Sequence, residues 1–180
     1  PKARSFVRVD RAPKDAEVIT GDMLAIPFPS QSFDLVLLFQ ALTDVPRMVD
    51  VLAEVKRVLR PGGRLILFES MAYPEHDMPH DYFRLMPQGL RFLAGETGFE
   101  AEEILPLGGV FGRLAMVSNT IIMGGLMRYI TVRPFGRAAV LFINLICLAL
   151  DSVAPRPRLA PDYLAVSTKQ RTIETRCSTD

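Results

Sequence analysis

With 180 residues, the chain is the size of one domain, and 49% of it is hydrophobic, enough for a sizeable core. Its 21 basic and 20 acidic residues nearly cancel, so bulk charge points to neither nucleic acid nor an anionic membrane as a partner. Cys147 lies in an apolar run and Cys177 in a polar one, which excludes a disulfide framework and makes a reducing cytoplasm the expected compartment.

Phe6 to Asp10 reads as a strand that ends in an acid. A polar link, Arg11 to Ala16, leads to a second short strand, Glu17 to Thr20, which delivers Gly21-Asp22. Phe33 to Phe39 is a nearly continuous apolar run, the pattern of a strand buried on both faces of a parallel sheet. Met48, Leu52, Val55 and Leu59 then recur at helical spacing, with Val51 and Val58 widening the stripe and Arg47, Asp50, Glu54, Lys56 and Arg57 on the other side. Pro61-Gly62 stops this helix, and Arg64 to Phe68 is a second buried-strand run. Strand, helix and strand form one βαβ unit with a right-handed crossover.

A loop rich in chemistry follows, from Met71 to Met86, with both histidines, His76 and His80, beside Glu75, Asp77, Asp81, Tyr82 and Arg84. Gln88 to Gly98 is a short helix and Phe99 to Leu105 the next strand. Gly108 to Ile130 and Phe135 to Val153 are apolar segments of helical character. The first carries Arg113, Ser118, Asn119 and Arg128. The apolar stretch of the second, Ala138 to Leu150, is interrupted by Asn144 and short of the roughly 20 residues a membrane span needs. A helical lid, a dimer face or a peripheral lipid contact through Arg128, Arg133 and Arg137 all suit these segments. Pro155 to Pro161 is a proline-rich link, and Tyr163 to Thr168 alternates as a final strand. The expected layout is one domain over residues 1–168, with 108–153 as a helical insertion and 169–180 as a polar tail.

Two blocks are specific. Gly21-Asp22, then Pro27-Phe28 and Ser32-Phe33-Asp34, are followed one helix later by Arg57-Val58-Leu59-Arg60-Pro61-Gly62-Gly63. In this order they resemble the class I S-adenosylmethionine-dependent methyltransferases, and within them the broad type 11 methyltransferase-domain group. The resemblance covers about Phe6 to Phe99 and, more loosely, the last strand. It implies an α/β, Rossmann-like, doubly wound sheet, mostly parallel with an antiparallel last strand, and two apolar helices inserted before that strand. S-adenosyl-L-methionine is the implied cofactor and methyl transfer the implied reaction. Asp10 would take the ribose hydroxyls, since two adjacent hydroxyl donors suit one carboxylate at a strand's carboxyl end. Asp22 would accept from the adenine amino group, with Met23 and Leu24 beside the ring. Phe39 and Gln40 would meet the cofactor through backbone atoms. Both acids equally suit loop caps when read alone.

The chain departs from the family pattern in two places. The glycine-rich loop expected upstream of the ribose acid has no candidate here, since no glycine precedes Gly21. The first strand and helix of the family sheet are therefore expected to be missing, either because the chain is a fragment or because the domain is degenerate. Thr43-Asp44 replaces the family's frequent Glu-His pair, and Asp44 reads equally as the cap of a helix starting near Pro46.

The acceptor side is expected in the histidine loop, whose His-x-x-Pro-His-Asp-Tyr-Phe-Arg pattern is similar to one in a bacterial subset of the family. His76 and His80 are candidates for a general base, because imidazole titrates near neutral pH. Pro79 argues against a helical metal-chelating pair, and no metal is assigned. Asp81, Tyr82 and Arg84 are expected to lock the loop by hydrogen bonds. The reading is a methyltransferase acting on a small-molecule or lipid-like acceptor. A catalytically inactive interaction module of methyltransferase type is the alternative. A dinucleotide or nucleotide-sugar enzyme predicts a Gly-x-Gly-x-x-Gly fingerprint, and this sequence has none.

Overall fold

A computed structural model of the chain describes residues 5–71, 73–76, 78–125, 133–154 and 160–170. Most of the proline-rich link, the polar tail past residue 170, Asp77, Arg128 and Cys177 lie outside the described residues. Two short strands, β1 (Val9–Asp10) and β2 (Ile19–Thr20), form a parallel pair. The main sheet has the order β3-β4-β6-β5, built from β3 (Phe33–Phe39), β4 (Leu59–Ser70), β5 (Phe99–Leu107) and β6 (Asp162–Lys169). β3 and β4 are parallel, while β6 runs antiparallel to both its neighbours. The predicted elements are all present. The first two strands are shorter than expected, and β4 is longer, reaching back through Pro61-Gly62-Gly63 with an irregular register opposite Phe33.

The core lies on one face of the sheet. Helix α1 (Met48–Val58) buries Val51, Leu52, Val55 and Val58, and α2 (Pro87–Glu96) buries Leu90, Leu93 and Ala94. They pack in one cluster with Leu65 and Leu67 of β4 and Tyr163 and Ala165 of β6. Each such Val or Leu contributes about 2 kcal/mol by leaving water. Lys169 at the end of β6 closes α1 by donating from Nζ to the carbonyls of Lys56 and Leu59, both at 2.7 Å. These are carbonyls that a helix end leaves without partners.

The opposite face differs from the expectation for β3. Leu35, Leu37 and Phe39 are 46%, 38% and 56% exposed. Their neighbours in the register, Arg64, Ile66 and Phe68, share that face. Among the described residues, helices cover only the other side, so the continuous apolar run reports strand type correctly but not burial on both faces.

Two apolar helices leave the sheet between β5 and β6, α3 (Val110–Gly125) and α4 (Arg133–Val153). They pack against each other, and Asp151 of α4 caps α3 by accepting from the amides of Phe111 at 3.1 Å and Gly112 at 2.8 Å. One expectation is corrected here. Neither Arg137 nor Asn144 interrupts α4, so Pro134–Val153 does reach the length and apolarity of a membrane span.

Candidate functional site

The carboxyl ends of the parallel strands carry the site, as they do in open α/β sheets generally. At the end of β1, Asp10 pairs with Thr20, and the Gly21 amide donates to the Asp10 carbonyl at 2.9 Å. Gly21 has to be glycine: a Cβ there would lie 2.7 Å from Val9 Cγ1 and 2.9 Å from Pro27 Cδ. That close passage sets Asp22 two residues past Thr20, the register partner of Asp10. Both aspartate side chains are exposed, and each is oriented by its own turn. The Asp10 carboxylate accepts from the Ala12 amide at 2.8 Å, and that of Asp22 from the Leu24 amide at 2.9 Å. Met23 and Leu24 are half-buried against the main core.

A charged pair on α1 fastens this segment. Glu54 accepts from the Ile26 amide at 3.0 Å, while Arg57 donates to the carbonyls of Phe28 and Ile26 at 2.8 and 2.9 Å and to Glu54 itself. The Arg57 guanidinium holds the Glu54 carboxyl below its ordinary value. The helical pattern alone reads these residues as a solvent face. Their spacing of three, with Arg57 opening the Arg-Val-Leu-Arg-Pro-Gly-Gly block, was the available signal.

A cleft of about 180 Å³ opens at the ends of β3 and β4. Gln40, Thr43, Asp44, Glu69, Ser70, Tyr73, His76 and Arg84 line it. Gln40 turns the chain out of β3 with φ 46°, a left-handed conformation that costs a residue with a Cβ about 1 kcal/mol. Its amide is held by the Phe68 carbonyl at 2.8 Å. The next three residues close on Glu69, which is 1% exposed. Its carboxylate accepts from the amides of Ala41 at 3.3 Å and Leu42 at 3.0 Å and from the Thr43 hydroxyl at 3.0 Å. Burial pushes the Glu69 carboxyl up, against the pull of these donors. Sequence reasoning missed Glu69; an acid ending an apolar strand run was the signal. Beside it, the Ser70 hydroxyl is buried without a hydrogen-bond partner.

The histidine loop forms the outer wall. Asp81 is the anchor: it accepts from the His76 amide at 3.1 Å and takes a bidentate pair from Arg84, one contact being 2.8 Å. That guanidinium holds the Asp81 carboxyl far below the usual carboxylate range. Arg84 also donates to the Tyr73 carbonyl at 3.2 Å, and the amides of Tyr82 and Phe83 donate to the Thr43 carbonyl at 3.3 and 3.2 Å. The imidazole of His76 lies edge-on to Tyr73, with Nδ1 3.1 Å from the Pro74 carbonyl and Nε2 3.7 Å from Asp44 Oδ1. Asp44 is not the cap of α1. The residue before that helix is Arg47, and no side chain caps it. His80 is exposed and approaches Tyr82 at 3.4 Å, outside the cleft lining. The structure thus brings His76 and Gln40 together, leaves His80 apart and sets Asp10 and Asp22 at a second station. Phe39 is exposed at the end of β3. No group of three possible metal ligands converges among the described residues.

The strand order and the placement of these acids at carboxyl ends are those of a class I methyltransferase-type α/β fold. Residues 2–67 match the family model described as a methyltransferase domain. Among similar proteins is the ubiquinone/menaquinone biosynthesis C-methyltransferase of Paracoccus denitrificans, 46% identical over 56 residues, 31% of this chain and 22% of that protein. A demethylmenaquinone methyltransferase of Lactococcus lactis is 39% identical over 61 residues, 34% of this chain and 24% of its own length. The chain thus spans about a quarter of these relatives. Two solved structures share the fold. A Haemonchus contortus phosphoethanolamine N-methyltransferase bound to S-adenosyl-L-methionine has a TM-score of 0.51 at 15% identity, over 88% of this chain and 38% of that one. The [4+2]-cyclase SpnF has a TM-score of 0.54 at 17% identity, over 86% and 57%. The likeness to class I S-adenosylmethionine-dependent methyltransferases holds across the motifs, the matches and the fold.

Proposed function

We propose that the chain carries the nucleoside station and the acceptor cleft of an S-adenosylmethionine-dependent methyltransferase whose acceptor is a small apolar molecule of the quinone or lipid-like class. One observation carries the reading. The segment that matches the methyltransferase domain is the one that sets Asp10, Asp22 and Gln40 at the carboxyl ends of parallel strands. The donor set suits the nucleoside half of the cofactor, because two exposed carboxylates, already oriented by their own turns, are acceptors for ribose hydroxyls and an adenine amine. No glycine-rich loop stands among the described residues to take the amino-acid half. When bound, the cofactor supplies a methyl group on a positively charged sulfur, so the protein's share of the work is alignment and exclusion of water.

On the acceptor side, a cleft of about 180 Å³ is smaller than the roughly 300 Å³ at which small-molecule pockets begin, and it suits the reacting ring or headgroup of a longer molecule. The buried, unpartnered Ser70 hydroxyl is placed to hydrogen-bond an acceptor oxygen. His76 receives the proton that the acceptor gives up, its Nδ1 lying 3.1 Å from the Pro74 carbonyl and its Nε2 3.7 Å from Asp44 Oδ1. The quinone class is suggested by the relatives' names, while the cleft wall from Met71 onward lies past the matched segment. The fold alone does not fix the reaction, since a [4+2]-cyclase shares it.

The test is calorimetric titration of S-adenosylhomocysteine into the chain. The expected result is micromolar binding, lost in Asp22→Ala and retained in His76→Gln. Absence of binding in the chain itself overturns the reading and leaves a methyltransferase-like module without a cofactor site.

A further inference from the structure

Arg137, Asn144 and Asp151 recur every seven residues on one stripe of α4, and the helix is apolar over most of the rest of its circumference. Leu141, Phe142, Leu145 and Leu148 are 61%, 65%, 56% and 70% exposed and share one face of the helix, which Ile146 and Leu150, at 42% and 41%, widen. On α3, Leu114 and Ile121 are 53% and 64% exposed. Among the described apolar side chains of the hairpin, only Ala115 and Cys147 are buried by the packing of the two helices. An exposed apolar face this broad, bordered by a polar stripe, marks a surface that meets another protein or lipid.

The charge pattern decides between occupants. From Ile104 to Leu150 the sequence contains no aspartate, glutamate or lysine, and its only charged residues are Arg113, Arg128, Arg133 and Arg137. Arg113 is spent inside the fold, donating to the Ala160 carbonyl at 2.6 Å. The other three fall in or near the stretch of sequence that joins the helices, and Arg137 is exposed. A second copy of the chain would set this patch against itself and bring arginines together with no carboxylate between them. An anionic lipid surface supplies both the apolar medium and the opposite charge.

We propose that the α3–α4 hairpin docks the protein on anionic phospholipid membranes, lying in the interface with its apolar sides among the acyl chains and Arg137 among the headgroups. The helices are tied side by side along their length. Asp151 caps α3 at one end, and Asn119 Nδ2 donates to Asn144 Oδ1 at 2.8 Å midway. α4 therefore cannot cross a bilayer without carrying α3, with Ser118, Asn119 and Thr120, alongside it; lying flat leaves these at the polar boundary. The hairpin's root sits beside the cleft. Arg113 reaches Ala160 and the sulfur of Met71, and the Met71 amide donates to the Pro161 carbonyl at 2.8 Å, one residue past Ser70. A docked hairpin therefore holds the cleft near the lipid. That last consequence deepens the proposed acceptor class and rests on it; membrane docking does not.

The test is sedimentation of the full chain with vesicles of pure phosphatidylcholine and of phosphatidylcholine with about a third phosphatidylglycerol. The sequence has no tryptophan, so Phe142→Trp adds a single conservative reporter. Binding to the anionic vesicles is expected to exceed that to neutral ones at least tenfold. It should weaken with salt and fall severalfold in Arg137→Glu, and the emission of the introduced tryptophan should shift to the blue only when anionic vesicles are added. Equal binding to both vesicles overturns the proposal, as does no binding to either. A dimer by light scattering whose tryptophan is already blue-shifted without lipid assigns the face to a second copy and equally overturns it. Cofactor titration of the same protein reads the methyltransferase proposal separately.

Discussion

At the end of β1, Asp10 holds its carboxylate in the open and accepts from an amide two residues on; at the end of β4, Glu69 is sealed from water and accepts from three donors of the neighbouring turn. Both acids lie at the carboxyl end of a parallel strand, Asp10 in the β1–β2 pair and Glu69 in the main sheet. The difference is what the fold uses each for. Glu69 satisfies buried donors and supports the left turn at Gln40, so it shapes the cleft it lines while its carboxylate is taken up by the fold. Asp10 and Asp22 satisfy little of the fold and present what remains of their capacity outward. Removing an acid of the first kind should cost stability, and removing one of the second kind should cost binding.

The largest effect is therefore expected for Glu69→Ala. It strands the amides of Ala41 and Leu42 and the hydroxyl of Thr43 in a buried turn, and the loss should be about 3 kcal/mol by urea denaturation. Glu69→Gln keeps an acceptor oxygen and should lose less than half of that. If Glu69→Ala unfolds at the urea concentration of the parent chain, the turn is held by something else.

A smaller effect, with an opposite pair of pH signatures, should come from the charge states. Burial raises the folded carboxyl of Glu69 above its ordinary 4.5. Its favourable contribution is thus complete below that value and is lost as pH rises through the raised one. Asp81 is the reverse. Arg84 lowers its folded carboxyl, so its contribution is present above the ordinary 3.8 and is lost as pH falls below it. Asp81→Asn should flatten the acid limb of stability against pH, and Glu69→Gln should flatten the decline above pH 4.5. Parallel curves for Asp81→Asn and the parent chain would dissociate the Arg84 pair from the anchoring of the histidine loop.

The elements were legible because their signals are local. The apolar run of β3, the helical stripe of α1 and the alternation of β6 each declare themselves within about ten residues. Strand order and the antiparallel last strand came with the motif resemblance. What the sequence hid was which face gets covered and who partners whom across distance. Leu35 and Leu37 look like Val36 and Leu38 in the sequence, yet only the latter pair meets the helices. Glu54 and Arg57 look like a solvent pair until Ile26 and Phe28 are brought to them. Asp44 looks like a helix cap until the loop from Tyr73 folds His76 over it. Each is a contact of some 27 residues' separation or more, for which composition and period hold no record.

The smallest change in stability and a large change in binding are expected together at Asp10→Ala. The carboxylate is exposed and its one fold contact is the turn at Ala12, so unfolding free energy should shift by no more than about 1 kcal/mol. Against a nucleoside it would remove two charge-assisted hydrogen bonds to neighbouring hydroxyls, and the affinity for S-adenosylhomocysteine should fall at least about tenfold, or 1.4 kcal/mol. Asp10→Asn sharpens the point, because an amide keeps one acceptor for the turn but cannot accept both hydroxyls. It should keep the stability of the parent chain and lose binding nearly as fully as Asp10→Ala. Should Asp10→Asn bind as tightly as the parent while Asp10→Ala does not, the residue acts through its turn and belongs with Glu69 among the acids that shape the site.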